Sequence, residues 1–124
     1  MAPSCTDGVN ALPVSCVFCE IVEGSRKAAI LYEDSETLAF RDILPQAPTH
    51  VLIVPKAHVP SASAVDDDAL WGKLMAVAKK LAGDLGLEDE GYRLVVNNGP
   101  RAGQTIPHLH VHLLAGRSFR WPPG

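Results

Sequence analysis

Apolar residues recur at steps of three and four positions between residues 66 and 85, and this spacing predicts a long amphipathic helix. The recurring positions are Leu70, Leu74, Val77, Leu81 and Leu85. Aspartates fill residues 66–68 in the first turn, where negative charge interacts favourably with the helix dipole. Gly86 follows and can adopt the left-handed conformation that ends a helix. Capping explains the aspartates better than a metal site does.

Shorter apolar runs predict strands. They cover residues 29–33, 37–41, 50–54, 92–97 and 107–114. The first two flank the polar turn Asp34-Ser35-Glu36, a spacing that is typical of a hairpin. A short helix is expected over residues 16–24, which end in a glycine. Antiparallel strands combined with one long helix predict an α+β fold.

The length of 124 residues corresponds to one domain. We expect residues 1–13, which are rich in small residues, proline and glycine, to form a flexible tail, and residues 14–124 to form the domain. The net charge of −3 argues against general nucleic-acid binding. Arginines nevertheless make the C-terminal quarter more cationic than the whole chain, at Arg101, Arg117 and Arg120.

The sequence predicts neither a membrane span nor a secretory signal. No run reaches the roughly 18 apolar residues that a span requires, and the N-terminus does not show a basic start followed by an apolar run. Three cysteines are too few for a disulfide framework. We therefore expect a protein of a reducing compartment, the cytoplasm or the nucleus.

Three histidines alternate with apolar residues in the run His108-Leu109-His110-Val111-His112. Alternate side chains of a strand share one face, so we expect the imidazoles to point one way and the aliphatic side chains to point into the core. An ordinary polar face would be served as well by Thr, Lys or Ser, which do not titrate near neutral pH. Because imidazole is a nucleophile, a proton donor and a metal ligand, the run indicates phosphoryl chemistry or metal binding.

The loop before this run favours phosphate. Residues 98–105 contain glycines, amide side chains, a hydroxyl group and an arginine. Backbone amides in such loops can bind anions. The loop alone is also an ordinary turn, and its position directly before the histidines is what makes it informative.

With these residues in view, the sequence resembles the histidine-triad family, whose signature is His-φ-His-φ-His-φ-φ with φ apolar. Residues 108–114 match that signature in full. Other stretches are similar to the Hint branch of the family, the purine nucleoside phosphoramidases. They are residues 38–43, 45–50, 53–56, 92–97 and the terminal Trp-Pro-Pro-Gly at 121–124.

The resemblance implies a five-stranded antiparallel sheet with one long helix and a short N-terminal helix, and a homodimer that continues the sheet. It also implies hydrolysis of adenosine or guanosine 5′-phosphoramidates to the nucleoside monophosphate and an amine. His110 corresponds to the nucleophile that forms a nucleotidyl-histidine intermediate. His112 corresponds to the residue that contacts the phosphate and helps to protonate the amine, and Thr105 stands where the family usually has a serine.

The resemblance further implies a set of nucleotide-binding residues. Asp42 corresponds to the ribose-binding carboxylate, Asn97 to a phosphate or ribose contact, and the apolar members to a purine pocket. The set is Phe18, Ile21, Asp42, Ile43, Leu52, Asn97, Gly103, Gln104, Thr105, His110 and His112. For each apolar residue, ordinary core packing is an equal alternative.

Cys16 and Cys19 have the spacing of zinc ligands. Many Hint proteins lack this pair, but other histidine-triad relatives combine such cysteines with two histidines, which correspond here to His50 and His108. The resemblance thus implies a structural Zn²⁺ and no cofactor for the chemistry itself. The alternative is two buried reduced thiols, and a redox role is disfavoured because no βαβ pattern follows. We expect His58 to be a solvated loop residue.

Two other functions fit the same triad. A dinucleoside polyphosphate hydrolase belongs to a sister branch of the family, and the terminal Trp-Pro-Pro-Gly disfavours it. A non-catalytic nucleotide-binding or scaffold protein is the second alternative, and the complete triad disfavours it.

Overall fold

The computed structural model describes residues 16–124. The strands are β1 (Ile30–Glu33), β2 (Thr37–Arg41), β3 (Thr49–Pro55), β4 (Arg93–Val95) and β5 (Val111–Ala115). The helices are α1 (Val17–Glu23) and α2 (Asp68–Asp84). The strands form one antiparallel sheet in the order β1-β2-β3-β5-β4. The predicted α+β fold with five antiparallel strands is confirmed, whereas the predicted tail at 1–13 lies outside the described residues.

The two faces of the sheet carry different layers. The face under α2 forms the larger core, to which β2, β3, β5 and the helix all contribute. Its central members are Ala39, Val51, Ile53, Leu74, Val77, Leu81, Val111 and Leu113. The opposite face packs against α1 through Leu38, Phe40, Leu52, Val54, Cys16, Phe18, Cys19 and Ile21. Strand alternation therefore sorts neighbouring residues between a helix-covered core and the α1 side.

The long helix begins two residues later than predicted and ends one residue earlier. Asp67 is the N-cap, and its side chain accepts a hydrogen bond of 2.9 Å from the backbone N–H of Ala69. Gly86 has a positive φ of 72°, which ends the helical run as expected. The predicted helix at 16–24 is α1, with Cys16 as N-cap and Gly24 as a left-handed C-cap.

The last strand is shorter than predicted. We expected a strand over residues 107–114, but β5 pairs only from Val111 onward. Pro107 has no N–H to donate, and the N–H of Leu109 donates to the carbonyl of Val59 in the loop that follows β3. The first two triad histidines therefore lie in the segment that leads into β5. The bounds of two other strands also differ from the prediction. β3 is one residue longer at each end, whereas β4 covers only three residues of the predicted 92–97.

None of the helices in residues 16–124 is long and apolar enough to cross a membrane.

Candidate active site

The histidine run keeps its alternation although only His112 lies within β5. Leu109, Val111 and Leu113 belong to the core under α2. The imidazoles of His108 and His110 face the other way, where both make edge contacts with the ring of Phe18 at centroid distances of 5.9 and 5.0 Å. The apolar residues thus fix the side on which the histidines lie.

His110 is held in one tautomer. Its Nδ1 lies 2.7 Å from the backbone oxygen of His108. Because a carbonyl oxygen can only accept, Nδ1 must carry the proton, and Nε2 of the neutral ring keeps its lone pair. Burial lowers the pKa of His110, against the raising effects of this hydrogen bond and of Asp42. The ring is therefore neutral at pH 7 with Nε2 as a free nucleophilic nitrogen.

A second chain of hydrogen bonds orients His112. The backbone N–H of Gln46 donates to Nδ1 of His50 at 3.0 Å, so neutral His50 carries its proton on Nε2. That Nε2 lies 2.9 Å from Nδ1 of His112 and donates to it. Neutral His112 therefore carries its own proton on Nε2, a buried nitrogen without a hydrogen-bond partner among the described residues. A donor in that position is ready for an incoming acceptor.

Burial also keeps this pair neutral before a ligand binds. Burial, together with the neighbouring His110 and His50, lowers the pKa of His112 to about 4. Burial lowers the pKa of His50 as well, although Asp42 opposes the shift. The carboxylate Oδ2 of Asp42 lies 3.5 Å from Nε2 of His50, while Oδ1 accepts from the N–H of Leu44 at 2.9 Å.

These groups border a cavity of about 380 Å³ between α1, β2, β3 and the end of the histidine run. Eight of the residues that sequence analysis assigned to the nucleotide line it: Phe18, Ile21, Asp42, Ile43, Leu52, Thr105, His110 and His112. Their side chains combine an apolar wall with a polar end at the histidines. The cavity is of the kind that takes small ligands with one polar end.

Three predicted residues do not line this cavity. Asn97 lies just beyond the end of β4. Gly103, at φ 90°, closes the turn before the triad. The amide of Gln104 holds the loop together, since its Oε1 accepts from the N–H of Gly99 at 2.9 Å and its Nε2 donates to the carbonyl of Pro60 at 2.8 Å.

Sequence reasoning also missed residues that do line the cavity. Phe40 could have been found, because it alternates with Leu38 on the α1 side of β2. Arg26 and Lys27 carried no recognisable signal, since their positions depend on how α1 packs against the sheet, whereas Arg41 belongs to β2 and to the stretch 38–43 that resembles the Hint branch.

The cysteine pair meets a different histidine from the one expected. The group of potential metal ligands is Cys16, Cys19, His58 and His108. His50 is not part of it, because His50 lies near the start of β3 while His108 contacts Pro55 at its end, about 16 Å along the strand. The assignment of His50 to this group is wrong, and so is the expectation that His58 is merely a solvated loop residue.

The ligand atoms of this group lie close together. Nδ1 of His108 is 3.5 Å from Sγ of Cys16 and 3.4 Å from Sγ of Cys19, and 3.3 Å separates it from Nδ1 of His58. Tetrahedral zinc would place sulfur and nitrogen ligands about 3.5 Å apart and two nitrogen ligands about 3.3 Å apart. Nε2 of His108 donates to the carbonyl of Pro55 at 2.8 Å, which leaves the lone pair on Nδ1. The residues present therefore fit a closed tetrahedral metal site.

The fold and the site together define a small α+β domain with a histidine-lined ligand cavity. The HIT domain model matches residues 23–119, and the chain belongs to this family. An uncharacterized HIT-like protein of Synechocystis sp. is 52% identical over 110 residues, which cover 87% of this chain and 96% of that protein.

Solved structures of family members agree in fold. The structure of a HIT family hydrolase from Legionella pneumophila Philadelphia 1 matches with a TM-score of 0.86 and 49% identity, covering 89% of this chain and all of that one. A histidine triad nucleotide-binding protein from Candida albicans matches with a TM-score of 0.76 and 37% identity, covering 89% of this chain and 85% of that one. The chain thus has the fold of nucleotide-binding HIT proteins and hydrolases.

Proposed function

We propose that this protein hydrolyses purine nucleoside 5′-phosphoramidates to the nucleoside monophosphate and an amine. The observation that carries the proposal is the fixed tautomer of His110, whose Nδ1 proton is committed to a backbone carbonyl. A neutral imidazole in this state attacks phosphorus without first having to lose a proton. The Legionella neighbour named as a hydrolase and the Candida neighbour named as nucleotide-binding support the same chemistry.

In the first step, the lone pair on Nε2 of His110 forms a bond to phosphorus, and the phosphorus–nitrogen bond of the substrate breaks. The bond electrons go to the departing nitrogen, which must also receive a proton. The negative charge of the bound phosphoryl group raises the pKa of the nearby His50–His112 pair, so that the pair takes up one more proton and Nε2 of His112 can donate its proton to the departing nitrogen. The products of this step are a free amine and a nucleotidyl-histidine.

In the second step, water attacks the same phosphorus atom. Nε2 of His112, which gave its proton to the amine in the first step, accepts a proton from the water, and the bond between phosphorus and Nε2 of His110 breaks with its electrons returning to the imidazole. The nucleoside monophosphate leaves, and both histidines are in their starting states once the proton on His112 is released with the product or used in the next turnover.

The cavity accounts for the rest of the substrate. Asp42 would accept hydrogen bonds from the ribose hydroxyls, and Thr105 would lie near the scissile bond. The planar base would lie against the apolar wall formed by Phe18, Ile21 and Leu52. In this arrangement one nucleotide stays in place through both steps.

The metal-ligand group would hold a structural Zn²⁺ through Cys16, Cys19, His58 and His108. Zinc supplies a closed tetrahedral cross-link there and takes no part in the reaction. Cys19 is disulfide-bonded in the structure, so zinc binding requires this cysteine in its reduced form. The cross-link would join α1 to the segment before β5, and hence one wall of the cavity to the triad.

We also propose that the protein is a homodimer in which β4 of each protomer pairs with the other. The free edge of the sheet at β4 carries the partly exposed Leu94 and Tyr92, and Trp121 beyond it is 82% exposed. Within residues 16–124 the outer edge of β4 has no partner strand, and exposed apolar residues beside such an edge favour association.

The decisive experiment compares wild-type protein with His110→Ala on adenosine and guanosine 5′-phosphoramidates. We expect kcat to fall by at least about a thousandfold in the variant, because the covalent route is lost. Acid-quenched wild-type protein should carry one nucleotide on His110, detectable as a mass increase of the peptide that contains it. A variant with near-normal turnover would exclude this mechanism.

The same assay separates the alternatives. Faster turnover of diadenosine polyphosphates than of phosphoramidates would favour the dinucleoside polyphosphate hydrolase. Nucleotide binding without turnover of either substrate would favour the non-catalytic protein.

A further inference from the structure

The cavity that would hold the substrate is also bordered by cations. Arg26, Lys27 and Arg41 line it together with the apolar wall, whereas Asp42 supplies the only carboxylate among the described lining residues. If phosphorus lies at His110 and the ribose at Asp42, as the proposed function requires, the base edge faces side chains that donate hydrogen bonds.

Among these cations, Arg26 is the most firmly positioned. Its Nε donates to Oε1 of Glu20 at 2.9 Å, and its backbone N–H donates to the carbonyl of Glu20 at 3.2 Å. Both contacts tie Arg26 to α1, the helix that also carries Phe18 and Ile21 of the apolar wall. Among residues 16–124, no group accepts a hydrogen bond from the two terminal nitrogens of Arg26. The N–H groups on the two terminal nitrogens of Arg26 can therefore donate to a ligand at the border of the cavity.

Guanine and adenine differ at the edge that such donors would meet. Guanine presents two acceptors side by side, N7 and O6, whereas adenine presents the acceptor N7 beside the donor N6 amino group. A guanidinium group matches two adjacent acceptors and cannot accept from an amino group. Donors at this end of the cavity therefore favour guanine.

We propose that Arg26 recognises the N7/O6 edge of the purine and makes guanosine 5′-phosphoramidates the preferred substrates. This inference rests on the proposed function for the identity of the ligand. It adds a specificity-determining residue that does not touch the reacting atoms. Because Arg26 is exposed, the preference is about tenfold, near the lower end of what a paired arginine–guanine contact provides.

The test measures kcat/KM for guanosine, inosine and adenosine 5′-phosphoramidates. Inosine keeps N7 and O6 but has no 2-amino group, so guanosine and inosine should be used alike and both about tenfold better than adenosine. Arg26→Met, which keeps an unbranched apolar side chain but removes the guanidinium group, should make the three kcat/KM values nearly equal. Lys27→Met is the matched control, because it removes the adjacent cation of the same cavity and should preserve the preference.

Several outcomes overturn the inference. Equal values for guanosine and adenosine in the wild type, a preference for guanosine that inosine does not share, or a preference lost in Lys27→Met rather than Arg26→Met would each do so. Dissociation constants of GMP and AMP measured on the His110→Ala protein give a second readout that needs no turnover. If no phosphoramidate is hydrolysed, the proposed function fails, and the GMP to AMP ratio still decides whether Arg26 selects guanine.

Discussion

Backbone groups, rather than charged side chains, set the tautomers of the histidines that border the cavity. The carbonyl of His108 fixes His110, and the N–H of Gln46 fixes His50 and, through it, His112. A backbone donor or acceptor cannot change its role with pH, so each ring is predetermined to offer one particular nitrogen. His50, which sequence analysis assigned to zinc, is thereby a positioning residue for His112.

This role of His50 can be tested with a pair of variants. His50→Gln retains an N–H donor near the position of Nε2, whereas His50→Leu removes it. We expect His50→Leu to lower kcat for a phosphoramidate by about 10- to 100-fold with little change in KM, and His50→Gln to retain several-fold more activity. Long-range ¹H–¹⁵N spectra should show neutral His112 with its proton on Nε2 in the wild type. In His50→Leu they should show a mixture of the Nδ1–H and Nε2–H tautomers. Equal activity of the two variants would contradict the assignment.

A single carboxylate joins the β1–β2 turn to α2. Asp34 accepts from the Lys73 ammonium at 2.8 Å, the Tyr32 hydroxyl at 2.7 Å, and the backbone N–H groups of Glu36 and Thr37, each at 2.8 Å. Burial alone would raise the pKa of Asp34, but these donors outweigh it and hold the pKa far below its usual range. The stabilising contribution is therefore complete above about pH 4 and is lost as the pH falls further.

We accordingly expect Asp34→Asn to lower the free energy of unfolding at pH 7 by about 1–2 kcal/mol, measured by urea denaturation. The variant should also lose less stability than the wild type between pH 4 and pH 2. Lys73→Met is the control, since it removes only the partly exposed ion pair and should cost less than Asp34→Asn. Wild-type and Asp34→Asn curves that stay parallel through the acid range would show that Asp34 titrates normally.

At the scale of elements, sequence predicted best where one periodicity governs a whole segment. The bounds of β2 agree with the prediction, and those of α2 agree within two residues. The apolar residues of α2 all face one core, and those of β2 alternate between the two sides of the sheet, so in each element the period of the pattern matches the local structure. Prediction failed where a segment bonds outside its own element, as residues 107–110 do before β5. The cavity wall was largely predictable through the family resemblance, whereas Arg26 depends on the packing of α1, which no local pattern reveals.

The metal-ligand assignment named His50 instead of His58 for the same reason, because it depends on where α1 packs against the sheet. His50 lies near the start of β3 and His58 follows its end, and the sequence alone does not tell which end of the strand faces the cysteines. The structure answers this through α1, whose N-cap Cys16 lies beside His108 and therefore near the end of β3 at Pro55. His58 follows that end after three residues.

Zinc analysis checks the corrected ligand set directly. Protein purified under a reductant and without chelator should contain about one zinc per protomer. His58→Ala and Cys16→Ser should lose the metal and show a lower melting temperature, because metal binding is linked to folding. His50→Ala is the matched control and should keep full zinc occupancy. Metal lost in His50→Ala and retained in His58→Ala would restore the original assignment, and metal-free wild-type protein would remove the site.

At the scale of the whole molecule, the two edges of the sheet differ in what surrounds them. The β1 edge exposes Ile30, at 48% of its surface. The β4 edge has Leu94 and Tyr92, each 37% exposed, and borders an open hollow of about 660 Å³ whose lining includes Arg93, Arg117, Phe119 and Glu90. No acidic side chain within hydrogen-bonding range neutralises Arg93 or Arg117 among the described residues, and both stack on the ring of Phe119. A second protein surface packed against this edge would cover Leu94 and Tyr92. It would also contact the guanidinium groups of Arg93 and Arg117, which Phe119 holds in place.

The dimer prediction follows from this asymmetry. A three-residue strand such as β4 offers few ladder bonds to another strand, but a two-fold axis beside it would join two five-stranded sheets and bury Leu94 against its symmetry mate. Light scattering should return twice the 13.2 kDa chain mass at micromolar concentration. Leu94→Arg should shift the protein to the monomer by placing two like charges at the axis, whereas Ile30→Arg, the same change on the opposite edge, should leave the dimer intact. A wild-type monomer, or a dimer broken by Ile30→Arg alone, would place the interface elsewhere or remove it.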